Sequence, residues 1–170
     1  MSSESAAPAN VTLRAVTEND HEFLVEVYAS TRAEELALVP WTNEQREAFV
    51  RWQFAAQQEH YAKEYPTANH DIILSDGRQT GRLFVARLDQ EIRIVDITVL
   101  PSERNAGIGS YLIRQLLDEA DRTNKITRIY VEEFNPSLSL FSRFGFSPST
   151  QNGIHLLMQR LAAKQLTPSL

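Results

Sequence analysis

A β-branched apolar run, a glycine-bearing loop and an amphipathic run follow one another between residues 92 and 120, and this order constrains the fold more than any other feature of the chain. Ile92-Arg93-Ile94-Val95-Asp96-Ile97-Thr98-Val99-Leu100 has the composition of a strand and closes at Pro101, which cannot donate to a ladder. Arg104-Asn105-Ala106-Gly107-Ile108-Gly109 is the loop. Leu112, Ile113, Leu116, Leu117 and Ala120 then recur at helical spacing and predict a helix over 108–123. A strand that turns through glycines into a helix leaves the first backbone N–H groups of that helix free, at the positive end of its dipole. Glycine lets a ligand approach this backbone closely, so the loop suits a phosphate or pyrophosphate. Arg104 adds a permanent positive charge there, although taken alone it also reads as a solvated surface arginine.

Two phosphate-loop patterns fail on single residues. A P-loop needs Lys followed by Ser or Thr after its last glycine, and this chain has Ser110 and Tyr111. A dinucleotide fingerprint needs Gly or Ala three residues after its second glycine, where Leu112 stands. Arg104-x-x-Gly107-x-Gly109 matches a third pattern, Arg/Gln-x-x-Gly-x-Gly/Ala after a strand, without a gap. That is the pyrophosphate loop of the GNAT superfamily of acyl-CoA-dependent N-acyltransferases. A second resemblance to this family lies downstream: the strand Ile129-Tyr130-Val131-Glu132, then Asn135-Pro136-Ser137-Leu138-Ser139-Leu140-Phe141, closed by Gly145-Phe146. The family's form there is Asn-Pro-Ala-Leu-x-Leu-Tyr-x-x-x-Gly-Phe. The resemblance covers roughly residues 10–161, by motif in 92–146 and by the pattern of elements elsewhere.

What surrounds these motifs agrees in pattern. Val11–Val16 alternates as a first strand, and Asp20 is placed to cap a helix bearing Phe23, Leu24, Val27 and Tyr28. Thr42-Asn43-Glu44-Gln45 reads as a capping box opening a long helix to about Tyr65, stopped by Pro66. Strands follow at Asp71–Ser75 and Thr80–Leu88, joined by the turn residues Asp76-Gly77. Asp89-Gln90 makes a short hairpin into the strand ending at Pro101. Beyond the 108–123 helix come a strand at 127–133, a helix near 136–144 and a final strand at Ile154–Leu161. The resulting β-α-α-β-β-β-α-β-α-β order is that of an α+β fold with a mixed, mostly antiparallel sheet flanked by helices. Residues 1–10 read as a flexible leader, 11–161 as one domain and 162–170 as a loose tail.

Composition narrows the class. Apolar residues make up 42% and charged residues 23%, with no cysteine, which removes a disulfide framework and a thiolate nucleophile. No apolar run approaches a membrane span and no signal segment opens the chain, so the expected setting is cytoplasmic, without a membrane partner. A net charge of −5 argues against nucleic acid as the main partner and favours a cationic acceptor. His21, His60, His70 and His155 show no metal-ligand spacing, so no metal is expected.

The resemblance implies acetyl transfer from acetyl-CoA to a primary amine, by direct attack in a ternary complex, and often a homodimer. It implies that the strands at 92–99 and 127–133 run parallel and splay apart to admit the acyl-CoA. The pyrophosphate would rest on Arg104, Asn105, Ala106, Gly107, Ile108, Gly109 and Ser110, and the pantetheine arm on backbone groups of Ile97 and Val99, whose side chains equally read as core. Asn135 would contact the cofactor arm; it reads equally well as a helix N-cap before Pro136. Phe141 departs from the family, because many members carry a Tyr there to protonate the leaving thiolate. Tyr111, Tyr130 and Ser142 are open substitutes. Asp96 is the candidate base, with Glu132 and Glu133 as further options, and strand parity decides which of them face the cleft. An ion pair of Asp96 with Arg82, Arg87 or Arg93 is the plain structural reading. The acceptor site would be built from the first two helices and the final strand: Trp41, Trp52, Phe54, His60, Tyr61 and Tyr65 make the helical region aromatic, which reads as core or as acceptor lining, and His155 sits on the last strand. A non-catalytic acyl-CoA sensor is the alternative function that the missing tyrosine supports, and an unrelated nucleotide-binding α/β protein is a third.

Overall fold

The computed structural model describes residues 10–166, so the expected leader up to residue 9 and the end of the tail lie outside the described residues. The strands follow the hydrogen-bonded order β1-β2-β3-β4-β5-β7-β6, a mixed, mostly antiparallel sheet with flanking helices in which β4 and β5 run parallel. The described chain forms two compact units, and β3 and β4 each run through both.

The first unit takes residues up to 83 together with 97–109. It holds β1 (Val11–Ala15), α1 (His21–Ala37), α2 (Asn43–Glu64), β2 (Asn69–Ser75), the start of β3 (Arg78–Arg87) and the end of β4 (Glu91–Val99). The capping box predicted for α2 is present: Gln45 N donates to Thr42 Oγ1 at 3.1 Å, and Thr42 N donates to Gln45 Oε1 at 2.9 Å. Leu24, Val25, Tyr28 and Leu36 of α1, Val50 and Phe54 of α2 and Ile72 of β2 form this unit's core. Each such side chain, once buried, contributes about 1.5–3 kcal/mol. Asp76 and Gly77 both have positive φ, at 50° and 79°, which is the mirror-image turn that matches strand twist in a two-residue hairpin.

Asp20 precedes α1 as expected but does not cap it. Its carboxylate is 3% exposed and instead accepts from both terminal nitrogens of Arg14 at 2.8 Å, from Thr17 N at 2.8 Å and from Gln79 Nε2 at 3.2 Å. The Arg14 guanidinium and these donors hold the Asp20 carboxyl far below the usual carboxylate range. Asp20 thus ties β1 and the turn before α1 to the start of β3.

Gly81 marks a close backbone approach in this unit. A Cβ placed there would lie 2.0 Å from the Thr98 carbonyl oxygen and 2.9 Å from Val99 Cα. Only glycine lets β3 lie this close to the end of β4. Leu100 N donates to Thr80 O at 2.8 Å and fastens the same place.

The second unit takes residues 84–96 and those from 110 onward. It contains most of α3 (Ile108–Thr123), with β5 (Ile126–Glu132), α4 (Ser137–Arg143), β6 (Ser147–Asn152), β7 (His155–Arg160) and α5 (Ala163–Leu166). α3 has the bounds its periodicity predicts, and Leu112, Ile113, Leu116, Leu117 and Ala120 are all buried. The strands bury alternate residues in turn: Ile92 and Ile94, then Thr127, Ile129 and Val131, then Met158. β5 pairs antiparallel with β7 from Thr127↔Arg160 to Glu132↔His155.

Two elements depart from the sequence reading. β6 is an extra strand before the last one; its Ser-Pro-Ser-Thr-Gln-Asn is exposed throughout, so it has no apolar alternation to reveal it. Its place at the sheet edge admits a proline and a register shift between Pro148 and Thr150. Part of the expected loose tail is ordered as α5, because Ala163 N donates to Asp121 Oδ1 at 2.9 Å and Ala162 N to Gln165 Oε1 at 2.7 Å.

Two outcomes follow. Gly81→Ala lowers stability by about 2–3 kcal/mol, as overpacking does, and the loss is read from a urea midpoint. Asp20→Asn costs about 2 kcal/mol at neutral pH. Because Asp20 titrates lower in the folded chain than in the unfolded one, its contribution is complete above the unfolded carboxylate range, about pH 4, and fades as pH falls toward the folded value. The gap between wild type and variant in thermal melts therefore narrows on acidification below that range.

Candidate active site

The loop predicted to hold an anion contains two residues of positive φ. Asn105 has φ 65° and Gly107 φ 80°, two left-handed residues with one residue between them. α3 then begins at Ile108, and a Cβ added at Gly109 would meet nothing within 4 Å. The space beside the first turn is therefore open. That turn carries no acidic residue, whereas Glu22 and Glu44 sit in the first turns of α1 and α2. The first turn of α3 thus supplies no carboxylate to the positive end of its dipole.

Arg104 is exposed, and its Nε donates to Val99 O at 3.2 Å. One bond of five possible donors fixes the side chain and leaves its other N–H groups for a ligand. The same bond takes one lone pair of the Val99 carbonyl that the sequence reading assigned to the pantetheine. Ile97 and Val99 are half-buried, and Gly81 sets their backbone through its approach to Thr98. Gly81 lies against Val99, one of the two residues that the resemblance assigns to the pantetheine arm, and the sequence reading did not single it out.

In the second unit the parallel ladder runs from Glu91↔Ile126 to Ile94↔Ile129. Among the described residues it includes no later pair, although β5 continues to Glu132. The alternation of burial along β4 stops at the same point, and every residue from Val95 to Val99 is half-buried. Burial therefore does not separate the two faces along this stretch, and Asp96 is half-buried like its neighbours. Asp96 takes part in an interaction of its own. Arg82 donates to Gln57 and Gln58, Arg87 to Glu119 and Arg93 to Glu91, and all three take part in further interactions as Asp96 does.

Asn135 acts as a cap. Its Oδ1 accepts from Ser137 N at 2.9 Å at the start of α4, leaving the amide NH₂ as the part able to serve a ligand. Phe141 is 2% exposed and meets Phe146 edge-on, ring centres 5.3 Å apart. A buried ring against a second ring is a packing role, consistent with its lack of a hydroxyl. Among the open substitutes, Tyr111 accepts a hydrogen bond from Gln115 at 2.7 Å, while Tyr130 is 48% exposed with the Arg93 guanidinium 5.3 Å from its ring centre.

The aromatic residues of α1 and α2 divide. Phe54 is core, whereas Trp41, Phe49 and Trp52 form a partly exposed stack with ring centres 5.2 and 6.2 Å apart. A groove of about 480 Å³ between these helices is lined by Val25, Ala29, Ala33, Leu36 and Val50 with charged residues at its rim, and not by Trp41 or Tyr61. Among the described residues no group of three or more His, Asp or Glu side chains is arranged to hold a metal, and no helix is long and apolar enough to cross a membrane.

The acetyltransferase (GNAT) family profile matches residues 31–146, more than half of the chain. The chain belongs to the GNAT acetyltransferase family. Its fold is shared with a PaiA N-acetyltransferase from Thermoplasma acidophilum crystallised with coenzyme A, at a TM-score of 0.68 and 16% identity over 89% of this chain and 99% of that one. A Corynebacterium glutamicum structure described as histone acetyltransferase HPA2 and related acetyltransferase matches at 0.63 and 19%, covering 94% and 99% of the two chains. A GNAT-family protein from Desulfovibrio desulfuricans matches at 0.61 and 15%, covering 91% and 100%. No curated protein matches the sequence significantly.

The capping role of Asn135 is tested by substitution. Asn135→Asp keeps the cap and the stability, whereas Asn135→Ala loses about 1 kcal/mol in urea unfolding.

Proposed function

We propose that this GNAT-family chain is an N-acetyltransferase that moves an acetyl group from acetyl-CoA to a primary amine by direct attack. The observation that carries the reading is the loop at 104–109, with two left-handed residues, an open space at Gly109 and a following helix whose first turn lacks an acid. Backbone N–H groups from Ala106 to Ser110 and the Arg104 guanidinium hold the pyrophosphate. Ile97 and Val99 offer backbone groups to the pantetheine amides, much as an added strand would. The Asn135 NH₂ supplies a further polar contact to the arm. Coenzyme A bound to the Thermoplasma protein of the same fold supports this choice of donor.

The chemistry requires a neutral amine, because an ammonium has no lone pair to attack with. Asp96 is the candidate base on β4, and its negative charge attracts a cationic acceptor. With no cysteine in the chain, a ternary complex is favoured over an acyl-cysteine intermediate. The leaving thiolate is a good leaving group without an obligatory phenol, so Phe141 does not bar turnover.

Gly109→Ala tests the loop by moving two quantities in opposite directions. Alanine suits a helix better and meets no neighbour, so the variant gains about 0.5 kcal/mol in thermal or urea unfolding. Its Cβ stands where the ligand approaches, so calorimetric affinity for acetyl-CoA falls at least tenfold, and Arg104→Ala weakens binding similarly. Unchanged affinity in both variants removes this reading. Tight acetyl-CoA binding with no CoA release from a panel of amines favours the acyl-CoA sensor.

A further inference from the structure

At the end of β4 two successive peptide groups have fixed directions, and both are set within the first unit. The Thr98 carbonyl points at β3, where a Cβ on Gly81 would collide with its oxygen. Leu100 N also points at β3 and donates to Thr80 O at 2.8 Å. That nitrogen and the Val99 carbonyl belong to one peptide group, and none of the described peptide bonds is cis. In a planar trans peptide the N–H and C=O point opposite ways, so the Val99 carbonyl is directed away from β3. There it meets Arg104, whose Nε donates to Val99 O at 3.2 Å. The turn at Pro101–Glu103 brings Arg104 back over the strand end, with Glu103 N donating to Leu100 O at 2.9 Å and Arg104 N to Pro101 O at 3.3 Å. The neighbouring carboxylate, Glu103, is taken by Arg78 of β3 at 3.1 Å, and so does not draw the guanidinium off the strand.

We propose that Arg104 is a positioning residue for the donor's pantetheine arm as well as a contact for its phosphates. Its Nε holds the Val99 carbonyl in the direction an arm amide meets, while its terminal nitrogens reach the pyrophosphate. This rests on the acetyl-CoA reading and deepens it, because one side chain then serves both halves of the donor. A carbonyl oxygen has two lone pairs, so the Arg104 bond leaves one for an amide N–H of the arm. A peptide already held in the bound direction needs no ordering when the ligand arrives. The phosphate end gains too, since a guanidinium anchored through Nε presents its terminal fork in one orientation. Glutamine, the other residue that the loop pattern admits at this position, carries its Nε2 at the same reach along the side chain as arginine's Nε. What the two residue types share is the donor that Val99 uses, and what glutamine lacks is the charge and the fork.

The experiment titrates wild type, Arg104→Gln and Arg104→Ala with three probes, followed by NMR so that weak binding is measurable. The probes are CoA, pantetheine, which has the arm without phosphates, and adenosine 3′,5′-bisphosphate, which has phosphates without the arm. Pantetheine affinity falls about fivefold in Arg104→Ala, the worth of one hydrogen bond, and stays at the wild-type value in Arg104→Gln. Bisphosphate affinity falls about tenfold in both variants, because both lose the guanidinium. General damage to the fold would weaken every probe in both variants and cannot give this crossed pattern. Pantetheine affinity unchanged in Arg104→Ala overturns the proposal and leaves Arg104 to the phosphates alone. A rise there overturns it as well, since Nε would then be blocking the carbonyl, and so does an Arg104→Gln protein no better than Arg104→Ala. A wild type that binds CoA but not pantetheine also overturns it, because the strand end then holds no arm. Failure of the underlying reading looks different: a wild type that binds no CoA loses the donor itself, and this role of Arg104 with it.

Discussion

Four residue pairs join β4 to β5, and the sheet of the second unit is built out from them. A strand's N–H and C=O groups require partners wherever they are buried. Up to Ile94 those partners lie on β5, and alternate residues of β4 are sealed in the core. From Val95 onward the residues of β4 are uniformly half-buried. The end of β4 is backed by the close approach of Gly81 and by the bond from Leu100 N to Thr80 O.

The anion-binding reading of the 104–109 loop depends on the same economy of backbone groups. A helix opens with four N–H groups lacking intrahelical partners. α2 meets this need with its own Thr42–Gln45 box and places Glu44 in its first turn. α3 has no acid in its first turn and is entered through left-handed Asn105 and Gly107.

Much of this was legible in the linear order of residues. The 108–123 helix, the Thr42 box, the Asp76-Gly77 hairpin and the two family motifs each rest on local rules, whose signals lie within a few residues of one another. β6 escaped because an exposed edge strand needs no apolar residues. Gly81 escaped because its constraint comes from Thr98, seventeen positions away along the chain and adjacent only after the strands pair. Asn135 showed both of its possible duties in sequence, and geometry assigned its Oδ1 to the helix cap. Phe141, read as a lost acid, turned out to be a packed ring.

By itself the sequence determined the local elements, the glycine loop between strand and helix, and membership of the GNAT acetyltransferase family, because periodicity, capping and turn chemistry act over short separations. Only the tertiary structure decided where the parallel pairing ends, that Asp20 is buried as a tie for Arg14 instead of capping α1, and that Glu132 meets His155 across two strands. Register and burial arise from contacts between distant segments, and no local pattern encodes them.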